Sequence, residues 1–347
     1  MEKVILSVKD LTVQFQVRGR LLTAIRNLSL DVYEGESLAI VGESGSGKSV
    51  LTKTFAGMLE KNGRIASGSI AFEDWDLAQV KRPKDWLQIR GGKIATVFQD
   101  PMTSLDPIMP IGKQIMSVIL RHRGCSKGEA HRHALEMMEK VGIPQPEKRF
   151  WDYPFQYSGG MRQRIVIAIA LCCQPRILIC DEPTTALDVT IQAQILKLIK
   201  DLQKEFGYTI VFITHDLGVV ANVADRVAVL YAGQIVELGS VEEIFYDPRH
   251  PYTWALLSSL PQLAERGQPL YSIPGTPPSL YATITGDPFA PRNPYCLRID
   301  TLESPPVFPI TATHWARTWL LDDRAPMVEK PEIIRNLHEK LGGNRGR

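Results

Sequence analysis

Cysteine is scarce in this 347-residue sequence: there are five, an odd number, and no two are spaced as CxxC. That usage speaks against a disulfide framework and favours a reducing compartment. No apolar run approaches the roughly 18 residues that a membrane-spanning helix needs. The first residues, MEKVILSVKD, also lack the apolar segment of a signal peptide. These absences predict a soluble, cytoplasmic chain that can still dock on a membrane partner.

An excess of charge is also missing, because 40 basic and 38 acidic residues leave a net charge of +2. Charge therefore gives no reason to expect a nucleic-acid partner. One basic cluster, residues 121–133, is interrupted by Gly124 and Gly128 and has no interleaved aromatic residues. A solvated helical face explains it better than a nucleic-acid site. Length and composition are otherwise those of a globular chain with more than one domain.

Apolar patterning predicts how the chain is organised. Short strand-like stretches fill residues 4–41, and residues 111–141 have a helical pattern. Residues 176–180 (RILIC) and 209–214 (TIVFIT) are continuous apolar runs typical of buried parallel strands. This alternation predicts an α/β fold with a mostly helical insertion at about 100–165.

Proline is distributed unevenly: thirteen of the 24 prolines lie from Pro261 onward. The shift predicts an appended, loop-rich tail that folds onto the core or onto a partner. We therefore expect two units, a larger α/β domain at 1–260 and a C-terminal extension at 261–347.

The segment GESGSGKS at 42–49 matches the phosphate-binding pattern G-x-x-x-x-G-K-[ST] in full, between a predicted strand and a predicted helix. Its glycines let backbone N–H groups surround phosphates, Lys48 reaches the β- and γ-phosphates, and the Ser49 hydroxyl can bind Mg²⁺. The predicted ATP contacts of this loop are Gly42, Glu43, Ser44, Gly45, Ser46, Gly47, Lys48 and Ser49.

Two further strand ends carry candidate catalytic groups. In ILICDEP, Asp181 is suited to the Mg²⁺ shell and Glu182 to polarising an attacking water. A turn that caps the next helix is the alternative interpretation of that segment. His215 follows the strand TIVFIT and is placed to sense or stabilise the γ-phosphate. A lone histidine is usually structural, so this role depends on the neighbouring motifs.

A second seat for phosphate is predicted by QYSGGMRQR at 156–164, where a serine and two glycines precede a helix-like apolar run. The first seat lies more than a hundred residues earlier. One chain with two such seats requires an explanation.

The ordered set of these motifs, with FQDP around Gln99 and TALD around Asp188, resembles the ATP-binding cassette (ABC) ATPases from residue 1 to about 260. YSGGM corresponds to the family signature LSGGQ, from which Tyr157 and Met161 depart. The resemblance implies a P-loop fold with a RecA-like core, an antiparallel β subdomain and a helical subdomain. It also implies that Gln99 binds Mg²⁺ and links the nucleotide to a membrane partner, and that Phe15 stacks on adenine.

In this family two cassettes pair head to tail. The resemblance therefore implies that the signature residues act on the partner's ATP and that Asp188 belongs to the D-loop at the junction. That arrangement accounts for the second phosphate seat. The signature residues are Ser158, Gly159, Gly160 and Met161.

FQDPMTSLDP, the segment 246–261 and the proline-rich tail are similar to the oligopeptide/dipeptide importer subset, OppD type. This similarity implies a peripheral protein on the cytoplasmic face of the cell membrane. The implied partners are a second cassette of the OppF type, two transmembrane permeases and an extracellular peptide-binding protein, with no nucleic acid. Many relatives carry four tail cysteines that resemble an iron–sulfur ligand set, but none of the four matching positions in this sequence is cysteine, so no such cluster is expected here. The matching positions are Asp287, Asn293, Asp300 and Thr318.

Two alternatives stay open at the level of sequence. A soluble cassette ATPase acting on DNA or ribosomes usually has a long coiled-coil insertion or tandem cassettes, which this sequence lacks. Import of another solute, such as nickel, is compatible with the sequence, because the binding protein and permeases choose the cargo.

Overall fold

A computed structural model of the protein describes residues 3–185, 187–260 and 271–335. The strands are β1 (Val4–Val17), β2 (Arg20–Tyr33), β3 (Ser37–Val41), β4 (Gly63–Phe72), β5 (Trp75–Asp76), β6 (Ile94–Val97), β7 (Ile177–Asp181), β8 (Thr209–Thr214), β9 (Arg226–Tyr231), β10 (Gln234–Ser240), β11 (Phe308–Pro309) and β12 (Trp315–Ala316). The helices are α1 (Lys48–Phe55), α2 (Pro83–Ile89), α3 (Pro101–Ser104), α4 (Ile111–Arg123), α5 (Lys127–Lys140), α6 (Pro146–Arg149), α7 (Gly159–Leu171), α8 (Val189–Phe206), α9 (Leu217–Val223), α10 (Val241–Tyr246), α11 (Pro251–Ser258) and α12 (Glu332–Arg335).

An eight-stranded sheet forms the centre of the molecule, with the order β11-β12-β10-β9-β3-β8-β7-β6. The five strands from β9 to β6 pair in parallel, and β10 pairs antiparallel to β9. Because β3, β8, β7 and β6 are parallel neighbours, their carboxyl ends meet at one edge of the sheet. The predicted α/β class is confirmed.

Both faces of the central sheet are covered. In β3, Leu38 and Ile40 face one hydrophobic core, whereas Ala39 and Val41 face the other. The first core lies between the central sheet and a separate four-stranded antiparallel sheet, β2-β1-β4-β5. Helices α4, α5, α7 and α8 pack on the second core. Burial on both sides explains why the central strands are continuous apolar runs.

The helical region runs from α3 to α7 and corresponds to the predicted insertion at about 100–165. Gly124 adopts a left-handed conformation (φ 59°) that ends α4. Ser126 and Glu129 then form a capping box that begins α5. The helical pattern at 111–141 is thus two helices that pack against each other.

The C-terminal extension packs on the cassette core. Strand β12 pairs with β10, and Phe289 and Ile334 enter the second hydrophobic core. Its elements are short strands and helical turns, as the proline content predicts. The predicted unit boundary at 260/261 borders residues 261–270, which lie outside the described residues, so the division into 1–260 and 261–347 stays a prediction.

Across the described residues, no helix has both the length and the apolar character needed to cross a membrane.

Candidate active site

The phosphate-binding loop connects β3 to α1, and its backbone requires glycine at two places. Gly42 has φ 153°, and a Cβ there would lie 2.1 Å from the Leu230 carbonyl oxygen. Gly47 has φ 108° and caps α1, and a Cβ there would lie 2.9 Å from the Ala24 oxygen. A side chain at either position would push the loop out of its turn, so glycine maintains the cradle.

Lys48 is buried at the base of this loop. Its Nζ donates to the carbonyl oxygens of Gly42 (2.7 Å) and Glu43 (2.9 Å). Burial lowers the pKa of Lys48, and the nearby carboxylates of Glu182 and Asp181 act in the opposite direction. The ammonium group is therefore preorganised inside the loop, where phosphate oxygens would replace its carbonyl partners.

Ser49 and Asp181 meet across the loop, with Ser49 Oγ donating to Asp181 Oδ1 at 3.1 Å. Burial raises the pKa of Asp181, and the bond from Ser49 partly offsets this. A hydroxyl and a carboxylate at this distance are hard oxygen donors of the type that Mg²⁺ selects. The pair therefore fits a magnesium ion beside the phosphates.

Glu182 is the centre of a hydrogen-bonded cluster at the same sheet edge. Its Oε1 lies 3.0 Å from His215 Nδ1, and its Oε2 accepts from Gln99 Nε2 at 3.1 Å. Thr185 Oγ1 donates to the same Oε2 at 3.0 Å. Glu182 and His215, predicted from two strand ends, thus lie together with Gln99, which the family resemblance implied. Sequence analysis did not identify Thr185.

The electrostatics and backbone of Glu182 suit a base. Burial opposes ionisation, but hydrogen bonds from His215 and Thr185 outweigh it and lower the pKa of Glu182. The carboxylate is therefore ionised near neutral pH. Its φ of 47° places a non-glycine residue in the left-handed region, a strained conformation of the kind found at functional sites.

The signature residues lie at the start of α7, where Ser158 caps the helix and accepts from Met161 N at 3.4 Å. Ser158 and Gly159 are exposed. A Cβ at Gly160 would lie 2.7 Å from Ile191 of α8, whereas a Cβ at Gly47 of the phosphate-binding loop would meet Ala24, Ile25 and Gly233. The signature and the phosphate-binding loop therefore lie against different elements of the chain.

Two predicted residues have local roles in the structure. Asp188 caps α8, and its Oδ1 accepts from Thr190 N and Ile191 N at 3.0 Å each. Phe15 is 9% exposed, and its ring lies against Gly63 within the antiparallel subdomain. Contact of Asp188 with a partner and of Phe15 with adenine both remain predictions.

Sequence analysis missed the residues that hold Glu43 of the loop. The Tyr252 hydroxyl accepts from Glu43 N at 2.8 Å, and Arg292 pairs with the Glu43 carboxylate. The segments around Tyr252 and Arg292 carry no motif that points to a phosphate loop, so no sequence signal could have found these contacts.

The fold and site define a class: a P-loop ATPase with the nucleotide loop, a paired Asp-Glu and a histidine at adjacent ends of parallel strands. Residues 25–185 match the ABC transporter family, and residues 236–299 match the oligopeptide/dipeptide transporter C-terminal region.

Related proteins narrow the class. The chain is 65% identical to the oligopeptide transport ATP-binding protein AmiE of Streptococcus pneumoniae, over 98% of this chain and 96% of AmiE. It is 56% identical to the dipeptide transport ATP-binding protein DppD of Lactococcus lactis, over 96% and 95%. A dimeric ATP-binding cassette solved in a post-hydrolysis state with ADP and phosphate superposes with a TM-score of 0.60 at 28% identity, over 68% of this chain and 98% of that one.

The chain belongs to the OppD/DppD-type family of ABC transporter ATP-binding subunits. ATPases of the ABC family generally use ATP with Mg²⁺.

Proposed function

We propose that this protein hydrolyses ATP to power the import of oligopeptides through a membrane permease. The observation that carries the proposal is the cluster of Gln99, Glu182 and His215 at the edge that also holds the phosphate-binding loop. The similarity of the chain, including its extension, to oligopeptide and dipeptide transport ATP-binding proteins supports peptide as the cargo.

The residues suggest a division of labour in hydrolysis. The loop amides and Lys48 bind the β- and γ-phosphates of ATP. Glu182, ionised and oriented by Thr185, accepts a hydrogen bond from the water that attacks the γ-phosphorus. His215 holds the carboxylate from its other side and lies where it can contact the γ-phosphate. In this step the water oxygen bonds to the γ-phosphorus as the bond to the leaving oxygen of ADP breaks, Glu182 takes up the proton that the water loses, and the products are ADP and inorganic phosphate.

Magnesium belongs to this site in the proposal. Ser49, Asp181 and Gln99 would hold it, since they offer hydroxyl, carboxylate and amide oxygens at one edge. When bound, the ion neutralises negative charge on the phosphates. For an iron–sulfur cluster the tail offers no thiolates at Asp287, Asn293, Asp300 and Thr318, and we propose that the protein functions without one.

The exposed signature supports a head-to-tail dimer with an OppF-type cassette. Ser158 and Gly159 present a helix N-terminus to solvent, and such a terminus suits an anionic phosphate. In the pair, the signature of each chain would close on the nucleotide in the loop of the other. Asp188, which caps the start of α8, would lie at the same junction.

An apolar patch on the helical region supports docking on the permeases at the cytoplasmic membrane face. Ile108 is 84% exposed and Phe155 is 72% exposed, and the Tyr153 and Phe155 rings stack at 6.0 Å. Arg162 joins the parts of the patch by donating to Met102 Sδ and to the Phe155 oxygen. An extracellular peptide-binding protein would deliver the cargo to those permeases. The patch consists of Met102, Ile108, Met109, Trp151, Tyr153 and Phe155.

The test replaces the proposed base. Glu182→Gln keeps the shape and the bond from Thr185 but removes the negative charge, so we expect ATP binding to persist while hydrolysis falls about 100-fold or more. Nucleotide titration and phosphate release measure the two effects. Cells with this variant as their only copy should not accumulate labelled oligopeptide.

The matched control is Glu205→Gln, a surface carboxylate of α8 that pairs with Lys140, which should leave hydrolysis and uptake unchanged. Normal oligopeptide uptake with Glu182→Gln would contradict the proposal.

A further inference from the structure

One side chain of the C-terminal extension, Arg292, binds the phosphate-binding loop directly. Its guanidinium donates two hydrogen bonds to the Glu43 carboxylate, Nη1 to Oε2 at 2.6 Å and Nη2 to Oε1 at 3.0 Å. The two residues are 249 positions apart in sequence. The Arg292 side chain is 3% exposed and that of Glu43 is 26% exposed. This two-point geometry specifies orientation as well as charge.

Arg292 is itself held firmly by its surroundings. Nε donates to the Pro274 oxygen at 2.8 Å, and Nη2 also donates to the Ile273 oxygen at 3.3 Å. Nη1 lies 3.2 Å from the Tyr231 hydroxyl at the end of β9. A guanidinium held by this many hydrogen bonds can leave its position only by breaking several of them, so it fixes the position of the Glu43 carboxylate.

Glu43 connects Arg292 to Lys48, the phosphate-binding lysine of the loop. Its carbonyl oxygen accepts from Lys48 Nζ, and its N–H donates to the Tyr252 hydroxyl. Every polar group of Glu43 is therefore engaged, and the side chain is the part held by the extension. A shift of the Glu43 peptide would move the carbonyl that positions the Lys48 ammonium.

A cavity confirms that the extension borders the loop and not only this one residue. It has a volume of about 190 Å³. Loop residues Glu43–Ser46 form one wall, and Pro277, Pro278 and Leu280 of the extension form another. The outer side of the phosphate-binding loop is thus partly built from the extension.

We propose that Arg292 is a positioning residue for ATP binding, which it supports by holding Glu43 and through it the loop and Lys48. This inference rests on the proposed function. The loop contacts ATP before and during hydrolysis alike, so loss of its alignment weakens substrate and transition state together. KM for ATP should therefore rise while kcat at saturating ATP changes little.

The experiment measures ATP affinity by calorimetric titration of the full chain. Arg292→Gln and Glu43→Gln should each weaken binding about tenfold, and the double variant should be no worse than either, because both remove one interaction. Arg292→Lys keeps the charge without the fork and should recover part of the affinity. In the assembled transporter, KM should rise about tenfold with kcat within about twofold of wild type.

The matched control is Lys330→Gln. Lys330 also joins the extension to the cassette, through Asp247 at 2.7 Å, but lies outside the loop contacts. It should bind ATP with wild-type affinity. If Lys330→Gln lost as much affinity as Arg292→Gln, attachment of the extension in general would be responsible and the inference would be wrong.

Two other results would overturn the inference. One is a folded Arg292→Gln variant that binds ATP with wild-type affinity, and the other is a double variant whose loss of ATP affinity is the product of the two single losses. Thermal unfolding establishes which variants fold. Should Arg292→Gln not fold, Glu43→Gln, at a side chain that is 26% exposed, decides alone, and wild-type affinity there rejects the inference. Wild-type titration comes first, so a chain that bound no ATP would refute the proposed function separately from the role of Arg292.

Discussion

Among single residues, the tail positions Asp287, Asn293, Asp300 and Thr318 stand out by their environment. All four are buried polar side chains, with Asp287 4% exposed and Asp300 1% exposed. Asp287 Oδ1 accepts from Phe289 N at 2.9 Å, but its Oδ2 has no hydrogen-bond partner among the described residues. Burial, reinforced by the charge of Asp300, raises the pKa of Asp287 to about 7.

This shift predicts how stability depends on pH. Unfolded, Asp287 loses its proton near its ordinary value of 3.8, whereas the folded chain keeps it until about pH 7. The contribution of the protonated Asp287 carboxyl to the free energy of unfolding is complete below pH 4 and is lost as the pH rises towards 7. Asp287→Asn keeps an acceptor for Phe289 and cannot ionise. At pH 8 it should be more stable than the parent by about 2–4 kcal/mol, measured by urea unfolding from pH 4 to 8.

The control for that series is Asp322→Asn in the same extension. Asp322 pairs with Arg324 at the surface, and this bond lowers the pKa of Asp322 to about 2. Its titration lies below pH 4, so the slope between pH 4 and 7 should not change. A parent protein whose stability did not fall over that interval would show that Asp287 is not protonated in the fold.

At the scale of elements, Gly159 and Gly160 look equivalent in sequence, but their surroundings at the start of α7 differ. A Cβ at Gly160 would lie 2.7 Å from Ile191 Cγ2 on α8, so substitution there disturbs packing within the same chain. A Cβ at Gly159 would meet only Leu187 Cδ2 at 3.9 Å, an ordinary contact. Gly159 is therefore the cleaner position for testing the signature.

Gly159→Asp places a carboxylate where a partner's phosphate is proposed to bind. An acidic residue in the first turn suits the helix dipole, so the chain should fold. We expect the isolated variant to bind ATP normally through Lys48 and Ser49. Paired with its partner cassette and permeases, it should lose about 100-fold in coupled hydrolysis, measured by phosphate release.

Gly128→Asp is the matched control, since Gly128 lies in the first turn of α5 with open space around its Cβ position. It should leave both measurements unchanged. A large loss of ATP affinity in isolated Gly159→Asp would instead place the signature in the chain's own pocket.

At the scale of the whole molecule, a buried, hydrogen-bonded pair of side chains joins the extension to the cassette. His314 Nε2 lies 2.8 Å from Glu237 Oε1, and neither side chain is more than 1% exposed. Glu237 also accepts from Arg249 N and His250 N. The pair lies beside the contact of β12 with β10, so a change at His314 reports on how the extension is attached.

His314→Ala leaves the Glu237 carboxylate buried without its side-chain partner. The expected cost is about 3 kcal/mol of unfolding free energy, observed as a lower midpoint in thermal or urea unfolding. His314→Gln can still donate to that carboxylate and should recover part of the loss. Equal stability of His314→Ala and the parent would show that the pair does not hold the extension.

Local sequence determined much of this protein. Three parts of the site were identifiable because each directly follows an apolar run that reads as a strand. They are the P-loop, the Asp181-Glu182 pair and His215. Parallel strands then bring those ends to one edge, so Glu182 and His215 could be expected to meet, whereas Gln99 was expected there only from the family resemblance. The helical pattern at 111–141 and the loop-rich tail followed equally from periodicity and proline content.

Tertiary structure alone decided which distant surfaces meet. Arg292 on Glu43, His314 on Glu237 and the packing of Gly160 on Ile191 join residues with no common pattern in the sequence. Such contacts depend on how whole elements pack after they form, and periodicity describes only which face of an element is apolar. The sequence therefore determined the chemistry of the nucleotide site, and the packing of the extension determined what holds its phosphate-binding loop.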